Sequence, residues 1–350
     1  MTPRLLDTVV VGFGHAARSF HVPAVLDLAA VGCASGRLHI VDPALDPADP
    51  AIPAGAATGR RLSDVDGRRD AVVHVCSGPD SHAEIVAAAH RLGFRRFIVE
   101  KPMATSMADA WRMVTLVDDG AADILVVSNW SASALTDEVR RVLRARPGTP
   151  PSRIVLTQVK PRLERTLANA THRSAFDVEM PHLVALAQRL VDGPLEVVAA
   201  SHADLVVGDA CFPAMGAATI TLRTAAGVPI LLRSDLTAPW RERSTRVDWA
   251  DGTRLVGFHP CDSTDRYAQL YTWAPGGEYV GRQYLYDDTV RRLLRSAYAY
   301  FAGIGAKPPN DAGFGAVTTA VIDAARAAST RVEHQPAHAV EVGHAPRIGH

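Results

Sequence analysis

The most distinctive polar feature of the sequence is the stretch FIVEKPM at residues 97–103. Its first three residues are typical of a buried strand, yet a carboxylate, an ammonium and a proline follow. Pro102 cannot continue a strand, so the side chain of Lys101 is expected to project from the end of a sheet into a crevice. An ammonium placed there favours negative charge on a substrate oxygen. Glu100 is expected either to contact a bound ligand or to hold Lys101 as an ion pair.

A glycine-containing turn lies between an apolar run, LLDTVVV at residues 5–11, and a helical pattern from about His15 to Ala30. Gly12 permits a tight turn, Gly14 lets the backbone approach a pyrophosphate, and Ala17 keeps the helix close to the sheet. The helix N-terminus offers unpaired N–H groups to phosphates. The turn is therefore expected to bind a dinucleotide through Gly12, Phe13, Gly14, His15, Ala16 and Ala17.

Asp42 closes the second strand pattern, RLHIV at residues 37–41, and follows Ala17 by 25 residues. A carboxylate at this position accepts hydrogen bonds from a ribose 2′-hydroxyl and repels a 2′-phosphate. The sequence therefore favours NAD as the cofactor over NADP.

The elements that must position these residues alternate along the first part of the chain. Strand patterns at residues 70–77, 94–100 and 123–129 alternate with helical patterns at 81–93 and 106–119. Ser81 and Glu84 have the spacing of a capping box, and residues 43–61 carry the Pro, Ala and Gly of a surface loop. This alternation predicts a doubly wound parallel sheet of the α/β Rossmann type over residues 1–130.

The pattern changes after about residue 130. A helix near residues 136–146 and a strand at 153–161 precede a succession of strand-like runs between 195 and 290, joined by glycine-containing turns. These predict an α+β domain over residues 131–330 with a large, open, mainly antiparallel sheet. Helices are expected at 287–303 and 313–329, the last packing back near the Rossmann domain. Residues 331–350 lack periodicity and are expected to form a flexible tail.

The glycine turn, CSGPDSHAEIVAAAHRLG at residues 76–93 and FIVEKPMA together resemble the Gfo/Idh/MocA family of NAD(P)-dependent sugar and cyclitol dehydrogenases. The helix at residues 313–329 is also similar to the last helix of that family. The resemblance implies a Rossmann domain followed by a sheet that carries the substrate and packs against another subunit. It implies further cofactor contacts from Ser77, Gly78, Pro79, His82, Glu100, Lys101 and Asn129.

The resemblance also implies a catalytic base, because family members carry a carboxylate four residues before a histidine at the start of a helix. His182, after the helix-starting Pro181, matches the histidine, and a neutral imidazole near a helix N-terminus suits a general base. Position 178 is Val, so the chain departs from the pattern. The neighbouring carboxylates Asp177 and Glu179 remain alternatives for orienting His182 or binding a substrate hydroxyl, with Asp177 marginally preferred.

Four further residues are weaker candidates. Asn129 and Trp130 follow the last strand of the predicted Rossmann sheet, and Lys160 and Arg162 follow the strand at 153–161. In members of the family these regions approach the nicotinamide or the substrate. The predicted substrate contacts are Lys101, Trp130, Lys160, Arg162, Asp177, Glu179 and His182.

Composition excludes several classes of function. Lys and Arg together number 37, as do Asp and Glu, so no excess charge favours nucleic acid or an anionic membrane. The four cysteines contain no C-x-x-C pair, which argues against a zinc site and for reduced thiols in the cytoplasm. No apolar run reaches the length of a membrane span, and no secretory signal pattern opens the sequence.

The sequence thus predicts an NAD-dependent dehydrogenase or ketoreductase acting on a secondary alcohol of a small polyhydroxylated substrate. A cyclitol, an amino-cyclitol, a sugar or a sugar derivative would fit, with Lys101 polarising the oxygen and His182 exchanging the proton. The resemblance favours a homodimer or homotetramer formed through the second sheet. Two alternatives stay open: glycoside cleavage through transient oxidation by bound NAD, and a regulatory protein that binds NAD without catalysis.

Overall fold

The computed structural model describes residues 4–65, 67, 69–168, 172–262 and 265–334. The chain forms two compact units. The first comprises the residues up to Ala132 together with Thr289–Ala320, and the second comprises Ser133–Asp288 and the chain from Val321 onwards. The first unit thus includes a C-terminal segment that the sequence-based boundary at residue 130 assigns to the second domain.

The first unit contains a six-stranded parallel sheet in the order β3-β2-β1-β4-β5-β6. Its strands are β1 (Thr8–Val11), β2 (Leu38–Val41), β3 (Ala57–Gly59), β4 (Val72–Val75), β5 (Arg96–Val99) and β6 (Asp123–Val126). Five of them lie within the predicted strand patterns. The short edge strand β3 was missed, because it lies in the segment expected to be a loop.

Helices cover both faces of this sheet, as its buried strands require. They are α1 (Val22–Ala30), α2 (His82–Arg91), α3 (Met107–Asp118), α8 (Thr289–Phe301) and the first part of α9 (Ala312–Ala328). A π-helical turn, Ala17–His21, leads directly into α1. Strand β5 shows why both faces are apolar: Phe97 and Val99 join the core cluster on one face, and Ile98 joins the cluster on the other.

The second unit contains a nine-stranded sheet in the order β14-β13-β12-β11-β7-β10-β9-β8-β15. The strands are β7 (Arg153–Val159), β8 (Leu195–Val207), β9 (Ala210–Thr224), β10 (Pro229–Asp235), β11 (Glu242–Asp248), β12 (Arg254–Phe258), β13 (Tyr267–Trp273), β14 (Tyr279–Tyr286) and β15 (Ser329–Arg331). The pairs β7/β10 and β8/β15 are parallel, and the other neighbouring pairs are antiparallel. This confirms the predicted fold class of a Rossmann sheet plus a large, mainly antiparallel sheet.

The helices of the second unit are α4 (Ala134–Arg144), α5 (Leu163–Ala168), α6 (Ala175–Val178) and α7 (Met180–Leu190), followed by the last part of α9. Helix α7 is the most buried of these, with Leu183 and Leu186 among its buried residues, and it packs on β7 and β10. Within the described ranges, no helix is both long and apolar enough to cross a bilayer. Residues 331–334 of the expected flexible tail are described, and 335–350 lie outside the described residues.

Candidate active site

The glycine turn after β1 depends on Gly12 for two reasons. Its φ is +89°, and a Cβ at this position would stand 2.7 Å from the backbone nitrogen of Ser77. The turn can therefore approach the end of β4 only without a side chain. Asp42 fixes the same turn from the end of β2, since its Oδ2 accepts the Phe13 N–H at 2.7 Å.

Beyond this contact the turn opens outward. A Cβ at Gly14 would meet no atom within 4 Å, and Gly14 and His15 are exposed. Ala17 is fully buried against the sheet. The backbone is exposed at Gly14, and a helix begins directly after it. Its free N–H groups can therefore bind a ligand, as a pyrophosphate site requires.

The turn after β4 begins with Ser77, Gly78 and Pro79, and a Cβ at Gly78 would also meet no atom within 4 Å. Ser81 does not cap α2, because its hydroxyl bonds to Ser77 and to the carbonyl of Gly78. The expected capping box is therefore absent, and local turn geometry takes the hydroxyl instead.

His82 is fully buried, although the resemblance suggested a cofactor contact. Its Nε2 lies 3.1 Å from the carbonyl oxygen of Ser77, and its Nδ1 lies 3.1 Å from that of Pro102. Burial lowers the pKa of His82, against the effect of these carbonyls. The imidazole of His82 therefore connects the turn after β4 to the turn after β5 and stabilises both turns.

The end of β5 carries Glu100 and the half-buried Lys101, and the Lys101–Pro102 peptide is cis. One carboxylate oxygen of Glu100 accepts a hydrogen bond from Nε2 of His21 at 2.8 Å. The other accepts the backbone N–H of Lys101 at 3.1 Å. His21 was missed by the sequence analysis, because only folding brings the start of α1 to the end of β5.

Two unpartnered polar atoms lie after the neighbouring strand β6. The Oγ of Ser128 and the Oδ1 of Asn129 are buried and have no hydrogen-bond partner among the described residues. Trp130 is buried in the same short 3₁₀ turn. Leaving buried polar atoms unsatisfied costs free energy, so a bound group that supplied their hydrogen bonds would be favoured here.

These features fit a dinucleotide along the carboxyl edge of the parallel sheet. The open turns at Gly14 and Gly78 leave room for phosphates, and Asp42 offers a carboxylate for ribose hydroxyls. The unpartnered Oδ1 of Asn129 can accept a hydrogen bond from an amide such as that of nicotinamide.

In the second unit, His182 is the third residue of α7, and its backbone N–H bonds to the carbonyl of Glu179 at 3.0 Å. The helix begins at Met180 and Pro181 is its second residue, so His182 lies in the first turn as predicted. Glu179 is 2% exposed and forms an ion pair with Lys160, which follows β7. The structure therefore pairs Lys160 with Glu179, and it places His182 three residues after Glu179 in the chain.

Asp177 has other contacts. Its Oδ2 accepts the backbone N–H groups of Arg173 and Ser174, both at 3.0 Å, in the capping box of α6. Its Oδ1 accepts a hydrogen bond from Arg326 of α9 at 2.5 Å. Both oxygens thus serve the local structure, which makes Glu179 the better candidate for a site carboxylate.

Arg162 is 7% exposed, and its Nη1 lies 3.2 Å from the hydroxyl of Thr166. Its Nε is buried, with no hydrogen-bond partner in the part of the chain that the structure describes. Burial and the neighbouring Arg165 lower the pKa of Arg162, while Glu179 acts in the opposite direction. A buried guanidinium with an unused donor can bind an acceptor on a substrate.

Comparison with known proteins gives one family match. Residues 6–126 match the Gfo/Idh/MocA family, described as an oxidoreductase family with an NAD-binding Rossmann fold. No curated protein matches the sequence.

Solved structures extend the likeness to nearly the whole chain. KijD10, a 3-ketoreductase from Actinomadura kijaniata in complex with NADP and TDP-benzene, is 16% identical with a TM-score of 0.75, over 95% of this chain and 100% of that one. The WlbA dehydrogenase from Bordetella pertussis, in complex with NADH and UDP-GlcNAcA, is 19% identical with a TM-score of 0.69, over 93% and 96%. The UDP-N-acetylglucosamine 3-dehydrogenase GnnA from Acidithiobacillus ferrooxidans is 14% identical with a TM-score of 0.72, over 93% and 98%.

At these identities the solved structures show a shared fold, and the family match adds the NAD-binding oxidoreductase domain. The glycine turn, the open backbone at Gly14 and the residues at the end of β5 agree with that assignment. Residues 6–126 match the Gfo/Idh/MocA oxidoreductase family with its NAD-binding Rossmann fold, and the solved structures show the same fold over nearly the whole chain.

Proposed function

We propose that the protein transfers hydride between a nicotinamide cofactor and a secondary alcohol of a sugar derivative, as a dehydrogenase or, in reverse, a ketoreductase. The observation that carries the proposal is the position of Lys101. It follows the end of β5, on the sheet whose strand β1 ends in the glycine turn. In parallel α/β sheets this edge is where ligands bind.

Sugar nucleotides are the first substrates to test. Similar folds occur in a 3-ketoreductase with TDP-benzene, a dehydrogenase with UDP-GlcNAcA and a UDP-N-acetylglucosamine 3-dehydrogenase. The buried Arg162 with its unpartnered Nε supports a substrate that carries acceptor groups besides its hydroxyls. Free sugars, cyclitols and amino-cyclitols remain in the proposal as smaller substrates of the same chemistry.

The roles proposed for the chain's residues follow from their charge and burial. The bound nicotinamide supplies the acceptor or donor of hydride. Lys101 donates a hydrogen bond to the reacting oxygen and stabilises its alkoxide character. His182 takes the hydroxyl proton as a neutral base, and its place in the first turn of α7 disfavours the imidazolium. Lys160 holds Glu179 beside this turn.

The proposed cofactor preference rests on Asp42. Its Oδ2 is bonded to the glycine turn, and its Oδ1 accepts the backbone N–H of Ala44 at 2.8 Å. A carboxylate held in this way repels a 2′-phosphate, so we expect NAD to be used better than NADP.

Substrate screening tests the proposal. TDP- and UDP-linked hexoses, free hexoses, inositols and amino-inositols are incubated with NAD or NADP at alkaline pH, and the absorbance of reduced cofactor is followed. We expect reduced cofactor to form with one of these classes of substrate, and we expect the variants Lys101→Met and His182→Gln to lose that absorbance signal. His172→Gln serves as the control, since no role is proposed for it.

Two results would favour the alternatives. Glycoside cleavage without net formation of reduced cofactor would indicate transient oxidation. Tight NAD binding with no turnover on any substrate would indicate a regulatory protein.

We also propose a homo-oligomer through the second sheet. Large apolar side chains are exposed on β8, β13 and β14: Val198, Val206, Val207, Tyr267, Val280, Tyr284 and Tyr286. These side chains lie near the two ends of the strand order, and exposed apolar area of this kind favours association. Light scattering after size-exclusion chromatography tests this, and a monomer at micromolar concentration would contradict it.

A further inference from the structure

A chain of hydrogen bonds crosses the core of the first unit and ends at Glu100. The hydroxyl of Tyr298 on α8 lies 2.5 Å from that of Thr8 and 3.0 Å from Nε2 of His74. The Nδ1 of His74 lies 2.8 Å from the Nδ1 of His21. The Nε2 of His21 lies 2.8 Å from the carboxylate of Glu100.

These residues are almost completely removed from solvent. Thr8, His21 and Tyr298 are each 1% exposed, and His74 is 0% exposed. The first residue of the series to reach the surface is Glu100, whose side chain is 14% exposed. Polar groups in a core cost free energy unless each is bonded, and apolar residues of similar size would fill the space at lower cost. Packing alone therefore does not explain why these hydrogen-bonded polar residues lie in the core.

The donors and acceptors allow two arrangements. A carboxylate only accepts, so Nε2 of His21 must carry a proton. If His21 is an imidazolium, its Nδ1 donates to His74, which donates to Tyr298, which donates to Thr8. If His21 is neutral, every one of these bonds reverses. The protonation state of His21 thus sets the direction of the whole series.

The surrounding groups favour the charged form of His21. Burial acts to lower the pKa of His21, but contacts with Cys76 and Glu100 outweigh burial and raise it to about 10. Burial lowers the pKa of His74 well below its ordinary value, and the charge on His21 acts in the same direction.

The remaining groups that face this pair agree with that arrangement. Burial acts to raise the pKa of Glu100, yet its bond to His21 and the charges of His21 and Lys101 lower it. Burial raises the pKa of the Cys76 thiol, and burial raises that of Tyr298, with nearby Asp7 adding to the effect. A single charged pair, His21 and Glu100, thus lies at one end of a neutral series.

We propose that His21, held by His74 and Tyr298, is a positioning residue for the end of β5. It fixes the charge and orientation of Glu100, whose second oxygen binds the backbone N–H of Lys101 at 3.1 Å. The proposal rests on the proposed function, in which Lys101 acts on the reacting oxygen. A buried carboxylate that loses its cation takes up a proton more easily, and Lys101 then loses an oriented support.

The first test needs no turnover, so it separates this inference from the proposed function. Histidine side chains are labelled with ¹⁵N, and ring nitrogen shifts are followed from pH 5 to 9 in the cofactor-free protein. His21→Gln and His74→Gln assign the two rings by loss of their signals. We expect His21 to stay doubly protonated throughout and His74 to stay neutral. A His21 signal that titrates near pH 6.5 would overturn the proposal.

The second test measures turnover. His21→Gln keeps a donor toward Glu100 without the charge, and Tyr298→Phe removes only the far hydroxyl. We expect kcat to fall roughly ten- to a hundredfold in His21→Gln, with the acid limb of its pH profile about one unit higher, and severalfold in Tyr298→Phe. KM for the substrate should change little.

His259→Gln is the matched control, because His259 is also buried, with burial lowering its pKa to about 3, and lies in the other unit. It should lower stability without moving the pH profile. An unshifted pH profile in His21→Gln would reduce the series to a structural role and contradict the inference. If the wild-type protein turns over no substrate, the proposed function fails and the NMR result alone decides this inference.

Discussion

Glu100 and Asp177 are two carboxylates of similar promise in the sequence, and the fold uses them differently. Glu100 follows a buried parallel strand and forms a pair with His21 next to Lys101. Asp177 caps the four-residue helix α6 and forms an ion pair with Arg326. One carboxylate is held where ligands bind, and the other is held where a helix begins.

The difference reflects the two architectures. In a parallel sheet all carboxyl ends of the strands lie at one edge, so a polar residue after an apolar run is placed by that run. In the mainly antiparallel sheet neighbouring strands end at opposite edges, and Asp177 lies on a helix that follows β7 in the chain. In the second unit, the spacing of a carboxylate from the start of a helix is therefore compatible with capping that helix as well as with a catalytic role.

Removing the ammonium at the end of β5 should have the largest effect. In Lys101→Met we expect kcat/KM to fall about a thousandfold, because the reacting oxygen loses its positive partner. NADH affinity, measured by fluorescence titration, should stay within about threefold, since the change keeps most of the side-chain volume. Lys307→Met, at a residue paired with Asp311, is the control and should behave as wild type. A variant retaining a tenth of the activity would remove Lys101 from the proposed chemistry.

Substitutions at the two glycines of the turn should have different effects, on protein stability at Gly12 and on NAD binding at Gly14. Gly12→Ala should lower the free energy of unfolding by about 2–4 kcal/mol, because a Cβ would meet the backbone at Ser77 and φ is positive. Gly14→Ala should fold normally and bind NAD less tightly, since its Cβ enters open space that phosphates would use. Urea denaturation and NADH titration measure the two effects. Equal stability losses in both variants would contradict the distinction.

Asp177 and Glu179 can be compared directly. Asp177→Asn should lower the free energy of unfolding by about 1–2 kcal/mol through loss of the cap and ion pair, and leave kcat nearly unchanged. Glu179→Gln should lower kcat about tenfold, because its buried carboxylate holds Lys160 beside the first turn of α7. A larger loss of kcat in Asp177→Asn than in Glu179→Gln would return Asp177 to the site.

A substitution at Asp42 tests the predicted preference for NAD over NADP. Asp42→Asn keeps an oxygen that accepts the Phe13 N–H but removes the charge. We expect the ratio of kcat/KM for NADP to that for NAD to rise about tenfold, since repulsion of the 2′-phosphate disappears. Steady-state rates with both cofactors measure the ratio. No change in it would show that Asp42 serves only the turn.

The dependence of stability on pH tests the charged pair at the end of β5. The pKa of His21 is raised from 6.5 to about 10, so its protonation stabilises the folded state fully below pH 6.5 and progressively less as pH rises toward 10. The free energy of unfolding of the wild type should therefore fall across this window relative to His21→Gln. Urea denaturation at several pH values measures the difference. Parallel curves for the two proteins would show that folding leaves the pKa of His21 unchanged, and a wild-type free energy that rises relative to the variant around pH 6.5 would show that His21 is neutral in the folded state; either result contradicts the charged pair.

Much of this site was predictable because it depends on local pattern. The apolar runs before Gly12, Asp42 and Glu100 marked strand ends, and Pro102 marked where β5 stops. The edge strand β3 and the short helices α5 and α6 were not predicted, since three to six residues carry too little periodicity. The assignments of Lys101 and His182 to the reaction remain predictions.

The amino-acid sequence by itself determined the fold class, the strand ends of the parallel sheet and the glycine turn, because each depends on neighbouring residues. The tertiary structure alone decided the partners of the charged groups. It joined Glu100 to His21, His21 to His74, and His74 to Tyr298, which are 79, 53 and 224 residues apart in the chain. Hydrogen bonds act over about 3 Å, and no local pattern specifies which distant side chains the packed core brings within that distance.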